Sequence, residues 1–146
     1  MRLLLLPFAC LTLFAQASTE ADATAIVQKT FDGMKAHDPA AIRATFLPEA
    51  RLYAIRPDGA IGPSRTAEEF ATQIGAAHGE YIERFTAKPQ VLLRGGMAQV
   101  WGEYEFLLDG KFSHCGVDSV TLFKTPDGWK IATIAYTMET AGCKGH

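Results

Sequence analysis

The chain predicts an α+β fold, a curved and mostly antiparallel sheet wrapped around three helices drawn from its N-terminal half. Two observations carry this. Gly96 to Phe106, Lys111 to Phe123 and Trp129 to Thr137 are three segments rich in β-branched and aromatic residues. They are separated by the turn signals Asp109-Gly110 and Thr125-Pro-Asp-Gly128, which is the pattern of a β-meander. The first half instead repeats its apolar residues at helical spacing. A sheet bent over helices encloses a pocket, so the polar residues on its inner face decide the function.

The elements follow in order. Arg2, the apolar run Leu3 to Phe14 and the small-x-small triplet Ala15-Gln16-Ala17 read as an export signal over residues 1–17. The run is too short to span a bilayer, which takes about 20 residues. Residues 18–146 then form a single domain, 129 of the 146 residues. Thr19 to Lys35 is a helix, with Ala23, Val27, Phe31, Ile26, Thr30 and Met34 as its apolar stripe and Thr19 with Asp22 as its cap. Asp38 as cap and Pro39 at the first helical position start a second helix, which reaches about Phe46 before Leu47-Pro48. Arg51 to Arg56 is a strand, Pro57-Asp58-Gly59 a turn and Ala60 to Gly62 a short return strand. A third helix starts after Thr66, with Glu69 completing a capping box, Phe70, Ile74 and Ala77 on one side and Gly79 as C-terminal cap. From Glu80 the pattern is strand, with a bulge at Pro89, and Gly95-Gly96 turns the chain into the meander.

Loss of Arg2 from the 14 basic residues leaves 13 against 16 acidic ones, a net charge near −3. There is no Lys/Arg cluster, which disfavours nucleic acid and anionic membranes as partners. Signal cleavage also removes Cys10 and leaves Cys115 and Cys143. Two cysteines in an exported protein suggest a disulfide, which would tie the middle strand of the meander to the tail. The rival readings are a reactive thiol or a metal site, but there is no C-x-x-C and His146 is merely terminal. The four histidines lack metal-ligand spacing, and no nucleotide-binding or serine-hydrolase motif occurs, so neither metal nor cofactor is expected.

Counting from the turns sorts the meander into faces. A two-residue turn at Asp109-Gly110 sets Glu105 opposite His114, Glu103 opposite Gly116 and Trp101 opposite Asp118. A type I turn with a glycine bulge at Thr125 to Gly128 sets Asp118 opposite Tyr136 and Val120 opposite Ile134. One face then carries Gln99, Trp101, Glu103, Glu105, His114, Asp118 and Tyr136 among apolar neighbours, the make-up of a ligand pocket. His114 and Asp118 are about 7 Å apart at strand rise. Glu105 would orient His114 and raise its pKa, and Tyr53 on the first strand reaches the same cavity. Asp118 as base, with His114 or Tyr136 as proton donor, suits proton abstraction or dehydration beside a carbonyl. Trp129 and Ile131 fall on the opposite face although both are core candidates, and a single bulge would exchange the faces. The bland alternative is an ordinary solvated Glu–His pair. His78 reads as a charge at a helix C-terminus and His37 as exposed.

The element order and the segments Ala98-Gln-Val-Trp-Gly-Glu-Tyr-Glu-Phe106, Asp109-Gly-Lys111, His114-Cys-Gly-Val-Asp118 and Asp127-Gly-Trp-Lys-Ile131 resemble the nuclear transport factor 2-like superfamily. Within it the chain is similar to small exported bacterial members of the SnoaL-like or lumazine-binding type. The resemblance implies a cone-shaped α+β barrel, commonly dimeric through its sheet, hence a homodimer. It spans ketosteroid isomerase, scytalone dehydratase, limonene epoxide hydrolase, polyketide cyclases and non-catalytic binding domains. The Asp-plus-Tyr logic of the isomerase and the His-and-Asp logic of the cyclases would be met by Asp118, Tyr136 and His114. Three functions remain: an exported, periplasmic or secreted, domain that binds a small partly apolar molecule, with Tyr53, Trp101 and Glu105 as ligand contacts; a cofactor-independent isomerase, dehydratase or cyclase; and a module that docks another protein through its sheet. Depth and dryness of the cavity discriminate them, and a buried carboxylate with a raised pKa favours catalysis.

Overall fold

The computed structural model describes residues 19–145, so the expected export signal lies outside the described residues. Ten elements follow one another: α1 (Glu20–Lys35), α2 (Pro39–Thr45), β1 (Phe46–Ile55), β2 (Arg65–Thr66), α3 (Ala67–Gly75), β3 (Tyr81–Phe85), β4 (Gln90–Arg94), β5 (Met97–Leu108), β6 (Lys111–Thr125) and β7 (Gly128–Thr137). The architecture is the expected α+β one. The strands form one curved sheet in the order β2-β1-β7-β6-β5-β3, with β4 also pairing β5. β1 runs parallel to β7 and every other pairing is antiparallel. The sheet does not close into a barrel.

The helices start where the sequence places them. Thr19 and Asp22 exchange hydrogen bonds as a capping box, Asp38 caps α2 with Pro39 in its first turn, and Thr66 with Glu69 repeats the box on α3. Ala23, Val27, Phe31 and Met34 of α1 are buried against the sheet. The Thr30 and Thr45 hydroxyls, both buried, bond each other at 2.8 Å. α3 ends at Gly75 rather than at Gly79. His37 is not a free surface group: it is half-buried, with Nδ1 2.9 Å from the Ile74 carbonyl and Nε2 2.7 Å from that of Gly79. Two carbonyl acceptors require both ring nitrogens to donate, so these contacts raise the His37 pKa.

Three boundaries differ from expectation. β1 begins at Phe46, the Pro48 region being accommodated by a register shift between Phe46 and Arg51. The return after the 57–59 turn is an isolated bridge from Ile61 to Ile55, and the pairing strand comes later at Arg65–Thr66. Pro89, which has no N–H to donate, separates two strands rather than bulging one. β3 pairs the C-terminal half of β5 and β4 its N-terminal half. Gly102 faces the gap, where Phe85 packs so closely that a Cβ would collide with its ring.

Two bulges decide which residues look inward. In the β5–β6 hairpin Asp109 and Gly110 take positive φ, the mirror-image turn a two-residue loop favours, and Leu107 pairs with Phe112. The next pair is Phe106 with His114, so Ser113 is an extra residue. The expected pairs of Glu105, Glu103 and Trp101 are thereby corrected by one place, to Cys115, Val117 and Ser119. Ala98, Val100 and Tyr104 are buried on the inner face, and Gln99, Trp101 and Glu103 lie on the outer one. On β7, Thr121 pairs with Thr133 and Leu122 with Ile131, leaving Ala132 extra and turning Ile131 and Trp129 into the core. Asp118 opposite Tyr136 and Val120 opposite Ile134 stand as expected. Cys115 and Cys143 form a disulfide across 28 residues, fastening the tail to β6.

Candidate functional site

A cavity of about 320 Å³ opens between the inner face of the sheet and helices α1 and α3. Its size falls at the lower end for small-molecule sites. Val27, Phe31 and Met34 from α1, Phe70 and Ile74 from α3, and Leu52, Phe106, Val120 and Ile134 from the sheet make its apolar wall. Into that wall are set His114, Asp118 and Tyr136, together with Glu83, Tyr104, Arg65 and Gln73. The three polar residues read from the meander are therefore gathered in one cavity. Tyr53, Trp101 and Glu105 do not line it.

Asp118 is 3% exposed. Its Oδ2 is sealed from solvent and has no N–H or hydroxyl donor. Its partner is Glu83, whose side chain hydrogen-bonds the Asp118 carboxyl. Two carboxyls bond each other only when one is protonated, and the proton sits on Glu83. Burial, followed by the charge of Asp118, raises Glu83 well above the ordinary carboxylate range. Burial pushes Asp118 up to about 7, although the bond from Glu83 favours its ionised form. The two titrate as a pair and share one negative charge above neutrality.

Tyr136 stands opposite Asp118. Its hydroxyl oxygen accepts from Arg65 Nη2 at 2.5 Å, and Arg65 can only donate. The Tyr136 proton is thus turned away from the guanidinium and has no protein acceptor among the described residues. Burial raises its pKa and Arg65 opposes the rise. Tyr104 is committed otherwise, donating to the Thr137 carbonyl at 2.7 Å. Its burial beside Glu83 and Asp118 raises its pKa and keeps its phenol protonated. This bond, with Val117 N–H donating to Thr137 Oγ1 at 3.0 Å, pins the end of β7 over Gly116.

His114 stacks on Phe106 with ring centres 4.9 Å apart and meets Tyr104 edge-on. Burial lowers its pKa, so it is neutral at pH 7. The expectation that Glu105 raises it is corrected: Glu105 is on the outer side of β5, where Arg84 Nη2 bonds it at 2.5 Å. Trp101, 49% exposed, is on the outer face for the same reason of register. Tyr53 is turned outward because its neighbour Leu52 is the β1 residue that faces the cavity. Glu83 and Arg65 were missed. Tyr81, Glu83 and Phe85 alternate along β3, and a lone acid between two inward aromatics was a signal available in the sequence. Arg65 carries no such mark, because its place depends on a two-residue strand. Among the described residues no three His, Cys, Asp or Glu side chains are grouped to hold a metal ion, and no helix is long and apolar enough to cross a membrane.

No protein-family model matches the sequence, and no curated protein does. Solved structures do. A nuclear transport factor 2-like superfamily protein from Salmonella enterica superposes with a TM-score of 0.64 at 20% identity, over 84% of this chain and 92% of that one. The fold is nuclear transport factor 2-like. A protein of this fold from Novosphingobium aromaticivorans, also described as cystatin-like, gives 0.69 at 12% identity, over 85% of this chain and 83% of its own. A candidate dehydratase of the nuclear transport factor 2-like family from Streptomyces avermitilis gives 0.66 at 16%, over 83% and 96%. Identities this low carry the fold and leave the chemistry to be argued from the site.

Proposed function

We propose that the cavity binds a small, partly apolar molecule and moves a proton on it without a cofactor, as an isomerase or dehydratase does. The observation that carries this reading is the pair Glu83–Asp118, a shared proton held in an apolar cavity opposite a Tyr136 hydroxyl whose proton is unclaimed. Near neutrality half of Asp118 is ionised, which suits a general base. Asp118 takes the proton from a carbon next to a carbonyl. Tyr136, its oxygen already held by Arg65, donates to the carbonyl oxygen as negative charge gathers there. Glu83 holds the second proton of the pair, so the site can return one to a neighbouring carbon or to a departing hydroxyl. Neutral His114 adds a hydrogen-bonding group on the same wall. The apolar side chains of α1 and α3 keep water from the intermediate.

The test begins with native mass spectrometry of gently purified protein, to identify the molecule that travels with it. That compound is then incubated in D₂O with wild type and with Asp118→Asn. Deuterium should enter the carbon beside the carbonyl with wild type only, at a rate rising through pH 7. A molecule that binds in the cavity yet never exchanges would make this a binding protein and end the catalytic reading. Export is part of the same proposal, supported by the disulfide. So is a homodimer: Leu92, Met97, Trp101 and Phe123 are exposed on the outer face of the sheet, an apolar surface that a second copy would cover.

A further inference from the structure

Arg65 is a cation at a part-apolar cavity, and no carboxylate lies within ion-pair distance of it among the described residues. The strand β2 places it beside Leu52, whose side chain lines the same cavity. Three contacts hold the guanidinium in place. Nη1 donates to Gln73 Oε1 at 2.6 Å, Nη2 donates to the Tyr136 hydroxyl at 2.5 Å, and the plane lies over the Phe70 ring at 5.4 Å. The contact with Phe70 adds a cation–π attraction. Of its five N–H donors two are used, and the remaining three have no protein acceptor. Arg43 and Arg84, by contrast, are neutralised by Glu68 and Glu105, while Arg51, Arg56 and Arg94, which also have no ion pair among the described residues, are exposed and do not line the cavity.

The cavity is therefore polarised. Glu83 and Asp118 share one negative charge on the sheet, Arg65 supplies a positive one, and the Tyr136 hydroxyl stands next to both. Most of the remaining wall is hydrocarbon. A molecule that suits this arrangement presents an anion to Arg65 and an apolar body to Phe31, Phe70 and Val120. We propose that Arg65 is a specificity-determining residue that selects ligands bearing a carboxylate, so that the molecule handled by this site is a small aromatic or aliphatic carboxylic acid. This rests on the proposed small-molecule reading of the cavity and names its substrate class. A planar guanidinium with free donors meets a carboxylate through two parallel hydrogen bonds, which a lysine could not reproduce. Because Gln73, Tyr136 and Phe70 already fix the side chain, little ordering entropy is lost when the anion arrives.

The experiment uses 2-naphthoate and methyl 2-naphthoate, which share a body and differ in charge, titrated calorimetrically into the whole protein at pH 7.5. Wild type should bind the acid about tenfold or more tightly than the ester, the range expected of a charge-assisted pair. Arg65→Gln should bring the two affinities within about threefold of each other, and Arg65→Lys should retain only part of the preference. Arg51→Gln, an exposed arginine on the neighbouring strand, should leave the preference unchanged. Thermal unfolding of each variant shows whether it is folded. Equal binding of acid and ester by wild type, or an acid preference that survives in folded Arg65→Gln, overturns the role given to Arg65 and leaves the cavity reading standing. Failure of both probes to bind ends the cavity reading and the selection by Arg65 together.

Discussion

Replacing Asp118 by Asn should make the folded protein more stable above neutral pH while removing its proton chemistry. Asp118 is 3% exposed, and burial lifts it from 3.8 to about 7. Each pKa unit is worth about 1.4 kcal/mol between the protonation states, so keeping Asp118 ionised in the fold costs about 4 kcal/mol relative to the unfolded chain. The sign follows from proton counting. Between pH 4 and 7 the folded state binds the proton that the unfolded state has lost, so stability is greatest below pH 4 and falls until about pH 7. Glu83, also raised, extends the loss toward higher pH. Asn keeps the volume, removes the charge and offers an amide to Glu83, at some loss from imperfect hydrogen bonding. The gain over wild type should be near zero at pH 4 and about 2–4 kcal/mol at pH 8.

The assay is urea unfolding of both proteins at half-unit steps from pH 4 to 9, compared at equal m-value. His37 is another group whose pKa is raised in the fold. Its raised pKa contributes stability below pH 6.5 that is lost as pH rises through the folded value, but it is present in both proteins and cancels in the difference. A difference that is flat with pH, or that favours wild type at pH 8, would show that Asp118 is not held in the dry, acid-paired setting described above, and the catalytic argument would fall with it.

Other outcomes are as specific. Removing the disulfide by Cys115→Ser with Cys143→Ser should cost about 3.6 kcal/mol on the loop-entropy argument for its 28-residue separation, read as a shift in the urea midpoint; no shift would mean the tail is not restrained by it. Gly116→Ala should destabilise by about 2–3 kcal/mol or more, because its Cβ would meet the Thr137 carbonyl oxygen that Tyr104 holds; an unchanged melting temperature would contradict that packing. Leu92→Lys with Trp101→Lys should turn a sedimenting dimer into a monomer with little change in the monomer's fold, since Leu92 is 73% exposed. A wild type that sediments as a monomer would refute the homodimer.

What was legible in the sequence was legible for local reasons. Capping boxes at Thr19 and Thr66 and the Asp38-Pro39 start are chemical statements about helix ends, and they hold wherever the helix packs. The Asp109-Gly110 turn likewise forms from its own backbone preferences. The bulge expected at Pro89 and the return strand expected at Ala60 to Gly62 came out differently, because both depend on what the rest of the sheet leaves room for. Arg65 acquires its place at the cavity only when β2 lies on β1, and nothing local announces a strand of two residues.

The inward face shows how much a single residue decides. Side chains alternate with period two, so one extra residue in a strand exchanges the faces beyond it. Counting back from Thr125-Pro-Asp-Gly128 included one extra residue, assigned to the turn. The fold has that extra residue too, but at Ala132. The pairing of Asp118 with Tyr136 is the same either way, and only Ile131 and Trp129, between the turn and the bulge, come out reversed. The other hairpin was counted without an extra residue, and Ser113 supplies one. Everything on β5 beyond it was therefore inverted, which sent Trp101 and Glu105 outward and brought in Tyr104 and Phe106. The burial of Trp129 and Ile131 was the warning: two large apolar residues on a face otherwise meant for solvent call for a bulge between them and the polar cluster. The mirror test on β5 was available as well, since Val100, Tyr104 and Phe106 form a more apolar set than Gln99, Glu103 and Glu105. Where alternation and composition disagree along a long strand, composition is the stronger guide, because burial of those apolar groups is worth several kcal/mol and a bulge disturbs the ladder only locally.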